Sequence, residues 1–540
     1  MKITLISLIE GVNTPSLRSL SAELKAQGYA VEMILLPWNH TDHTLDWSNS
    51  FRHPYPVSVL EQIGELCRSS DLVGISLMTC HFDNAILITN SLRRTGSAPI
   101  IWGGMHPTLR PEECLKYADM VCIGEGEISL SQLVREMAGG KSWQSVKVPG
   151  IWKQSDGNIP PGTHSPIVED LDRIPLPDYD LEHQYVLYEE KLIRFDARML
   201  SRSLGYTYPA MFSRGCPYAC TYCCNNALQS LYGRKLPVRW RSVDKWIEEL
   251  QFAIRLMPDL RGVSFGDDAF LAQPQDVIEE FSAKYKELIG LPFSALSTPR
   301  SISEPKMSAL ADAGMYHIAI GIQSGSERIF KGLYHRPESL SQIVEASACI
   351  KAVTRKQKKQ ILGRYDFILD NPWETDADVE ASIRLCSKLA KPFSLATFTL
   401  TFYPGTDLYQ KARADGLVTD DLNQIYRASQ LIPKRTYLNG VFMVQSANAP
   451  GWLISFLLWK PTRRWFPCGI PYGVAFVFDA IKFTKGFFGF IFKGQWTAAH
   501  LLLKPGVQRL FSVFKSSGPE KEKAIFCGGP GQYGNGATSS

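Results

Sequence analysis

Two stretches of the chain alternate short apolar runs with longer segments whose apolar residues recur every three or four positions. In residues 1–140 this alternation is typical of parallel strands joined by crossover helices. The predicted strands are Met1–Leu8, Tyr29–Leu36, Leu72–Leu77, Pro99–Trp102 and Met120–Ile123, and the predicted helices are Leu17–Gly28, Val59–Ser69, Phe82–Thr95 and Glu127–Met137. The pattern predicts a doubly wound, Rossmann-like α/β domain that binds its ligand beyond the carboxyl ends of the strands.

Residues 209–410 show the same alternation with six strands. The strands are Pro209–Ser213, Gly262–Gly266, Phe293–Ser297, Tyr316–Ile322, Tyr365–Leu369 and Leu395–Thr401, and the helices are Val243–Leu256, Gln275–Leu288, Glu304–Ala313, Leu340–Val353 and Asp376–Leu389. Six parallel strands with crossover helices predict an incomplete, TIM-like (β/α)6 barrel. Its active site is expected at the carboxyl ends of the strands.

Three segments fall outside these two domains. Residues 141–208 have little periodicity and many prolines, which predicts an inter-domain linker. Residues 411–515 are predicted to be mainly helical, and their apolar runs are far shorter than the roughly 20 residues of a membrane span. Residues 516–540 are rich in Gly and Ser, which predicts a disordered tail.

Composition limits the function classes. The formal net charge of +5 is concentrated in residues 451–515, which carry nine Lys or Arg against the single acid Asp479. Residues 1–450 are therefore slightly acidic, which argues against a nucleic-acid partner. The 12 Cys are scattered and no secretory signal pattern opens the chain, so a reducing, cytoplasmic location is expected.

In residues 451–515 the cations alternate with Trp, Phe and Tyr. This composition has two interpretations. One is an interfacial segment that lies on an anionic inner membrane surface, and the other is a set of buried helices that close the barrel while their lysines reach water. The sequence favours neither.

The most informative pattern is the spacing of Cys216, Cys220 and Cys223 in a C-x3-C-x2-C arrangement. Three thiolates at this spacing can ligate a four-iron four-sulfur cluster and leave one iron open to an outside molecule. Structural zinc sites instead pair C-x2-C with a second Cys or His pair, and the sequence has no such pair at the right distance. The adjacent Cys224 is not expected to be a ligand.

With Ser213-Arg214-Gly215 before it and Tyr222 within it, this segment resembles the signature of the radical S-adenosylmethionine (SAM) superfamily. The resemblance implies that the open iron binds SAM and that an electron from the cluster splits it to a 5′-deoxyadenosyl radical. It also implies SAM-binding residues at the strand ends, which are Gly266, Asp267, Asp268, Arg300, Gln323 and Ser324. Arg300 is the candidate for holding the SAM carboxylate, because guanidinium pairs with carboxylate through two bonds.

Two glycine loops precede this domain, Gly103-Gly104-Met105-His106 after the fourth strand and Gly124-Glu125-Gly126-Glu127 after the fifth. In this domain order they resemble the cobalamin-binding domain of the cobalamin-dependent radical SAM class. The resemblance implies cobalamin contacts at Ser76, Thr79, Gly103, Gly104, His106, Gly124, Glu125 and Gly126. None of the ten His lies in the D-x-H-x-x-G motif that supplies a lower cobalt ligand in classical domains. For His106, packing or hydrogen bonding is the expected role and cobalt ligation the alternative.

The resemblance implies a cobalamin-dependent radical SAM enzyme with three cofactors, a 4Fe-4S cluster, SAM and cobalamin. Methyl transfer to an unactivated carbon of a small-molecule or lipidic substrate is the leading prediction, with an external electron donor of the flavodoxin or ferredoxin type. The alternatives are an oxidative cyclisation like that of the anaerobic magnesium-protoporphyrin monomethyl ester cyclases, and a cobalamin or iron–sulfur sensor without catalysis.

Overall fold

A computed structural model describes residues 1–9, 11–37, 54–96, 98–154, 164–233, 236–428 and 433–492 of the protein. Within α18, introduced below, the side chains of residues 482, 483 and 485–492 are not described. The predicted tail 516–540 and the cations of residues 493–515 lie outside the described residues.

The first sheet has eight strands in the order β6-β5-β4-β3-β1-β2-β7-β8. Its strands are β1 Lys2–Ser7, β2 Ala30–Leu35, β3 Leu72–Ser76, β4 Ile100–Gly103, β5 Met120–Cys122, β6 Ile151–Lys153, β7 Gln184–Tyr188 and β8 Lys191–Arg194. The six inner strands are parallel, and β6 and β8 pair antiparallel at the two edges. The five strands predicted from apolar runs are confirmed. Their residues are buried on both faces, as a covered parallel sheet requires.

The helices of this part are α1 Pro15–Ala26, α2 Val57–Cys67, α3 Phe82–Thr95, α4 Met105–Leu109, α5 Pro111–Cys114, α6 Gly126–Ala138 and α7 Ala197–Ser203. The prediction that residues 141–208 serve only as a linker was wrong, since β6, β7 and β8 come from that segment and extend the first sheet. These strands are three to five residues long. Runs this short show no hydrophobic periodicity. Their positions are set by strand pairing, of β6 with β5, of β7 with β2 and of β8 with β7.

The second sheet has six parallel strands in the order β16-β15-β14-β13-β12-β9. They are β9 Thr207–Ala210, β12 Gly262–Phe265, β13 Phe293–Ser297, β14 Met315–Gln323, β15 Leu362–Leu369 and β16 Phe393–Thr399, and a separate two-stranded ribbon consists of β10 Ser213–Arg214 and β11 Arg239–Trp240. The helices that alternate with the strands are α8 Cys224–Leu231, α9 Val243–Leu256, α10 Gln275–Leu288, α11 Glu304–Ala313, α12 Leu340–Gln357 and α13 Asp376–Lys388. The incomplete barrel is therefore confirmed.

After the barrel, α14 Asp407–Ala414 leads to a helical turn at Leu422–Tyr426 that packs back on the first domain. Arg427 pairs with Asp83, and the Tyr426 hydroxyl donates to Glu113. The four helices that follow are α15 Tyr437–Ser446, α16 Gly451–Leu458, α17 Lys460–Trp465 and α18 Gly469–Phe492. The predicted helical C-terminal region is confirmed over residues 437–492.

Of the C-terminal helices, α15 packs against α13 and β16, and α18 packs along α15. Gly440 marks this close approach, because a Cβ there would lie 2.8 Å from the ring of Tyr472. Among the described residues no helix is both long enough and apolar enough to cross a membrane.

Candidate active site

The three predicted cluster cysteines lie in the loop between β10 and α8, here called the cysteine segment (residues 216–223). Gly215 opens it with φ +92°, and a Cβ at this position would lie 3.2 Å from the Pro237 carbonyl oxygen. Both the left-handed backbone and the close approach require glycine. The cysteine segment lies at the carboxyl ends of the barrel strands, since Tyr218 accepts a hydrogen bond from Thr298 after β13 and Cys216 lies near Asp268 after β12.

The three thiols are close enough to influence one another electrostatically. Burial raises the pKa of the Cys216 thiol to about 12, with a further contribution from the Asp268 carboxylate. Burial also raises the pKa of Cys220, so both are thiols until a metal displaces their protons. Cys224 hydrogen-bonds to Cys223 and lowers its pKa.

The three cysteine thiols are the donors that the sequence implies for a four-iron cluster. The described His, Cys, Asp and Glu side chains form no group already closed around a single metal ion. A cube of four irons holds its thiolates farther apart than one ion does, and three thiols on one short loop suit it. The residues present therefore fit a four-iron cluster ligated by Cys216, Cys220 and Cys223.

Two polar contacts to the cluster cysteines were missed by the sequence analysis. Arg336 lies after β14, and its Nη1 is 3.7 Å from Cys220 Sγ while its Nη2 donates to the Gly321 carbonyl at 2.7 Å. Asn225 Nδ2 is 3.8 Å from Cys223 Sγ and donates to Asp268 at 2.9 Å. Arg336 is more than a hundred residues from Cys220, so no local pattern joins the two. Asn225 is only two residues from Cys223, but the sequence alone does not indicate its contact with the thiol.

The paired acids after β12 have different surroundings. Asp267 is 1% exposed, and its Oδ1 accepts hydrogen bonds from the backbone N–H of Phe212 and Ser213 and from the Ser213 hydroxyl. It therefore fixes the chain that enters the cysteine segment, and burial raises its pKa to about 6. Asp268 is exposed at the strand end next to Gly266, so of the two predicted SAM contacts it is the one presented to a ligand.

The ends of β13 and β14 carry the remaining predicted SAM residues. Arg300 is exposed in the turn after β13, and Thr298 of this turn donates to the Tyr218 hydroxyl in the cysteine segment at 3.2 Å. Gln323 is half-buried and has φ +72°, an uncommon conformation for a residue with a side chain. Ser324 is buried and donates to Glu374 at 3.2 Å. The strain at Gln323 makes it the better candidate for ligand contact of these two.

In the first domain, Ser76 ends β3 and Thr79 is buried in the turn that follows it. Gly103 ends β4, and Gly104 has φ +99° with its Cα so close to β3 that a Cβ would lie 2.7 Å from the Leu77 carbonyl oxygen. Close packing of the backbone therefore accounts for the glycine at position 104. These residues do meet at the carboxyl edge of the sheet, as predicted.

His106 is fully buried in a core between the rings of Phe82 and Tyr426, each with its centroid 5.0 Å away. Burial lowers its pKa to about 3, so the imidazole is neutral. Of its two expected roles, the structure supports packing. Hydrogen bonding is not observed, since neither ring nitrogen has a partner among the described residues.

The loop Gly124-Glu125-Gly126-Glu127 follows the carboxyl end of β5 and contacts the barrel domain. Glu125 pairs with Arg214 and Arg239, and Glu127 pairs with Arg214, so both carboxylates face the barrel domain. Gly126 meets Leu20, whose Cδ2 would be 2.9 Å from a Cβ. The arginine partners lie nearly 90 and more than 110 residues away in the sequence, where no local pattern indicates them, and the assignment of this loop to cobalamin stays a prediction.

Comparison with known proteins places these two parts in described families. Residues 2–134 match the B12 binding domain, and residues 211–386 match the radical SAM superfamily. An uncharacterized methyltransferase of Pyrococcus horikoshii is 28% identical over 355 residues, which cover 64% of this chain and 70% of that protein. The bacteriochlorophyllide d C-12(1)-methyltransferase of Chlorobaculum tepidum is 23% identical over 502 residues, which cover 86% and 99%.

Two solved structures share the fold. The cobalamin-dependent SAM radical enzyme OxsB, with aqua-cobalamin and SAM bound, aligns with a TM-score of 0.61 at 15% identity over 95% of this chain and 83% of that one. The radical SAM methyltransferase TsrM of Kitasatospora setae, with tryptophan and a SAM analogue bound, aligns with a TM-score of 0.59 at 16% identity over 77% and 76%. The order of the two domains is the same as in this chain.

Proposed function

Because the chain belongs to the cobalamin-dependent radical SAM enzymes, we propose that it transfers a methyl group to an unactivated carbon of a small-molecule substrate. The observation that carries the proposal is one chain with a B12-binding domain at residues 2–134 and a radical SAM domain at residues 211–386. The relatives support methyl transfer, since those that match most of this chain are named as methyltransferases.

When bound, the cluster supplies an electron that cleaves SAM, and cobalamin supplies a transferable methyl group. The chain's own residues hold these groups. Cys216, Cys220 and Cys223 would ligate three irons, and the polar strand ends at Asp268, Arg300 and Gln323 would contact SAM. Ser76 and Thr79, at the carboxyl edge of the first sheet, would contact cobalamin.

The test is transfer of label. Full-length protein, reconstituted anaerobically with iron, sulfide and hydroxocobalamin, is incubated with SAM deuterated in its methyl group and with cell extract, and the products are analysed by mass. A product heavier by a labelled methyl group is expected. SAM cleavage without label transfer would favour cyclisation, and absence of both would favour a sensor. The full chain is used because residues 1–140 alone lack β6, β7 and β8 of their sheet.

The reducing electron is proposed to come from an external protein of the flavodoxin or ferredoxin type. Apart from Cys216 to Cys224, the cysteines of the described residues are dispersed, and Cys67, Cys114 and Cys386 are buried in the core. The described part of the chain therefore offers no second iron–sulfur site that could relay the electron internally.

Contact with an anionic membrane surface is also proposed, through the exposed side of α16 and α17. Trp452, Trp459 and Trp465, here called the tryptophan face, are 71%, 60% and 80% exposed. Lys460 and Arg464 are exposed among them. Tryptophans at such a face suit the lipid headgroup region, and each cation near an anionic surface contributes about 1 kcal/mol.

Replacement of all three tryptophans of the tryptophan face by serine is expected to release the full chain from phosphatidylglycerol vesicles in a co-sedimentation assay. Substitution is preferable to truncation near residue 449, because removing α18 would uncover α15. Binding of the unmodified chain should weaken with salt, which screens the cations.

The matched control replaces Val57, Leu288 and Tyr316, which are 70%, 47% and 48% exposed on other surfaces, by serine. That variant should sediment like the unmodified chain. If the unmodified chain itself stays in the supernatant, the membrane proposal is wrong and a soluble substrate is favoured.

A further inference from the structure

The loop at residues 124–127 contacts the chain on both sides of the cysteine segment. On the amino-terminal side, Glu125 and Glu127 pair with Arg214, two residues before Cys216. On the carboxyl-terminal side, Gly124 with φ +88° lies so close to Tyr232 that a Cβ would be 2.3 Å from its hydroxyl. Tyr232 follows α8, the helix that begins directly after Cys223. One loop of the B12-binding domain therefore contacts the chain directly before the cysteine segment and again beyond the far end of α8.

The ribbon that leads into the cysteine segment requires an anion. Arg214 of β10 lies directly opposite Arg239 of β11, and like charges at opposed positions destabilise a strand pair. The Glu125 carboxylate lies between them, with its Oε2 3.2 Å from Arg214 Nη1 and 3.0 Å from Arg239 Nη1. The backbone N–H of Val168 donates to the same oxygen at 2.9 Å. Glu125 thus joins both strands of the ribbon to the first domain.

Glu127 completes the arrangement from the first turn of α6. It is 6% exposed, accepts a hydrogen bond from the Ser19 hydroxyl at 3.0 Å and pairs with Arg214 Nη2. Burial would raise the pKa of Glu127, but the charge and hydrogen bond of Arg214 outweigh it and hold the pKa below its usual range. Two carboxylates and two guanidinium groups balance in charge, so the group can stay ionised away from water.

We propose that Glu125 and Glu127 are positioning residues that fix the cluster site against the cobalamin domain, and that they act on the cluster through Arg214 without contacting cobalamin. The inference goes beyond the proposed methyl transfer, because it concerns how the two cofactor sites are held together and would apply equally to a cyclase. It requires only that the cysteine segment carries the cluster.

The test compares Glu127→Gln with Glu136→Gln in full-length, anaerobically reconstituted protein. Glu136 lies on the same helix and pairs at the surface with Lys141, so it is the matched control. For Glu127→Gln we expect an altered electron paramagnetic resonance spectrum of the reduced cluster and SAM cleavage about tenfold slower, the lower end of the range for residues that orient metal ligands, because Glu127 reaches Cys216 only through Arg214. Its dissociation constant for hydroxocobalamin should stay within about twofold of the unmodified protein, because the carboxylate does not reach that site. Glu136→Gln should change none of the three.

A weaker hydroxocobalamin affinity with an unchanged cluster spectrum would overturn the proposal and return the loop to the cobalamin site. An unchanged spectrum with unchanged affinity would also overturn it. If Glu127→Gln does not fold, Arg214→Lys is measured in the same way, since it keeps the charge and loses the forked geometry. An unchanged cluster spectrum in a folded Arg214→Lys protein would then contradict the proposal. Absence of methyl transfer by the unmodified protein, with a normal cluster and normal SAM cleavage, would count against the proposed function and not against this inference.

Discussion

Simultaneous replacement of Cys216, Cys220 and Cys223 by alanine is expected to abolish the visible absorbance of the cluster and to remove SAM cleavage completely. The three side chains supply all the protein ligands of the proposed cluster, and no other described cysteine neighbours them except Cys224. The measurements are iron content, absorbance and 5′-deoxyadenosine formation after anaerobic reconstitution. Circular dichroism should show the unmodified fold, since the segment contributes no strand or helix.

Cys224→Ala is the matched control for that variant, because it removes a thiol one residue away. Its hydrogen bond to Cys223 is lost, but Cys223 becomes a thiolate on metal binding without that help. We expect a full cluster and nearly normal SAM cleavage. A full cluster in the triple variant would show that the ligands lie elsewhere, and loss of the cluster in Cys224→Ala would make that thiol part of the site.

The inner strands of the first sheet were predictable because they are buried on both faces. Leu72–Ser76, for example, is a short apolar run between amphipathic helices, and that pattern specifies a parallel sheet. The barrel strand Phe293–Ser297 alternates buried and half-buried residues, and the amphipathic helices on either side of it made it predictable. The strands β6, β7 and β8, which extend the first sheet on its two sides, were not predictable, since their positions depend on pairing partners and not on local composition. The prolines of that segment suggested a linker, although they only separate its short strands.

The candidate site also has a part that local patterns predict and a part that depends on long-range contacts. The cysteine spacing and the polar strand ends are local patterns, and the structure brings Cys216, Asp268 and Gln323 to one end of the barrel. The arginine partners of Glu125 were not predicted, because glycine loops look alike whether they approach a cofactor or a neighbouring helix. Arg336 was missed because its partner Cys220 is distant in sequence. Long-range charge pairs leave no periodic signal, so only the structure reveals them.

Arg336→Met is expected to lower the free energy of unfolding by about 3–5 kcal/mol, because it leaves a buried charge without its partner. Arg336 is 6% exposed and Glu338 is 0% exposed, and Arg336 Nη2 donates to Glu338 at 3.3 Å. Chemical denaturation of the protein before reconstitution measures this effect. The same substitution removes the cation next to Cys220 Sγ, so the reduction potential of the reconstituted cluster should fall.

The double variant Arg336→Met/Glu338→Leu separates the two effects. Apolar residues of similar volume remove the unpaired carboxylate, so most of the lost stability should return. The cation beside Cys220 is still absent, so the lower potential should persist in a redox titration followed by electron paramagnetic resonance. Recovery of the potential together with stability would mean that Arg336 only supports the fold. A potential that stays low in a stable protein would mean that the guanidinium acts on the cluster and does more than support the fold.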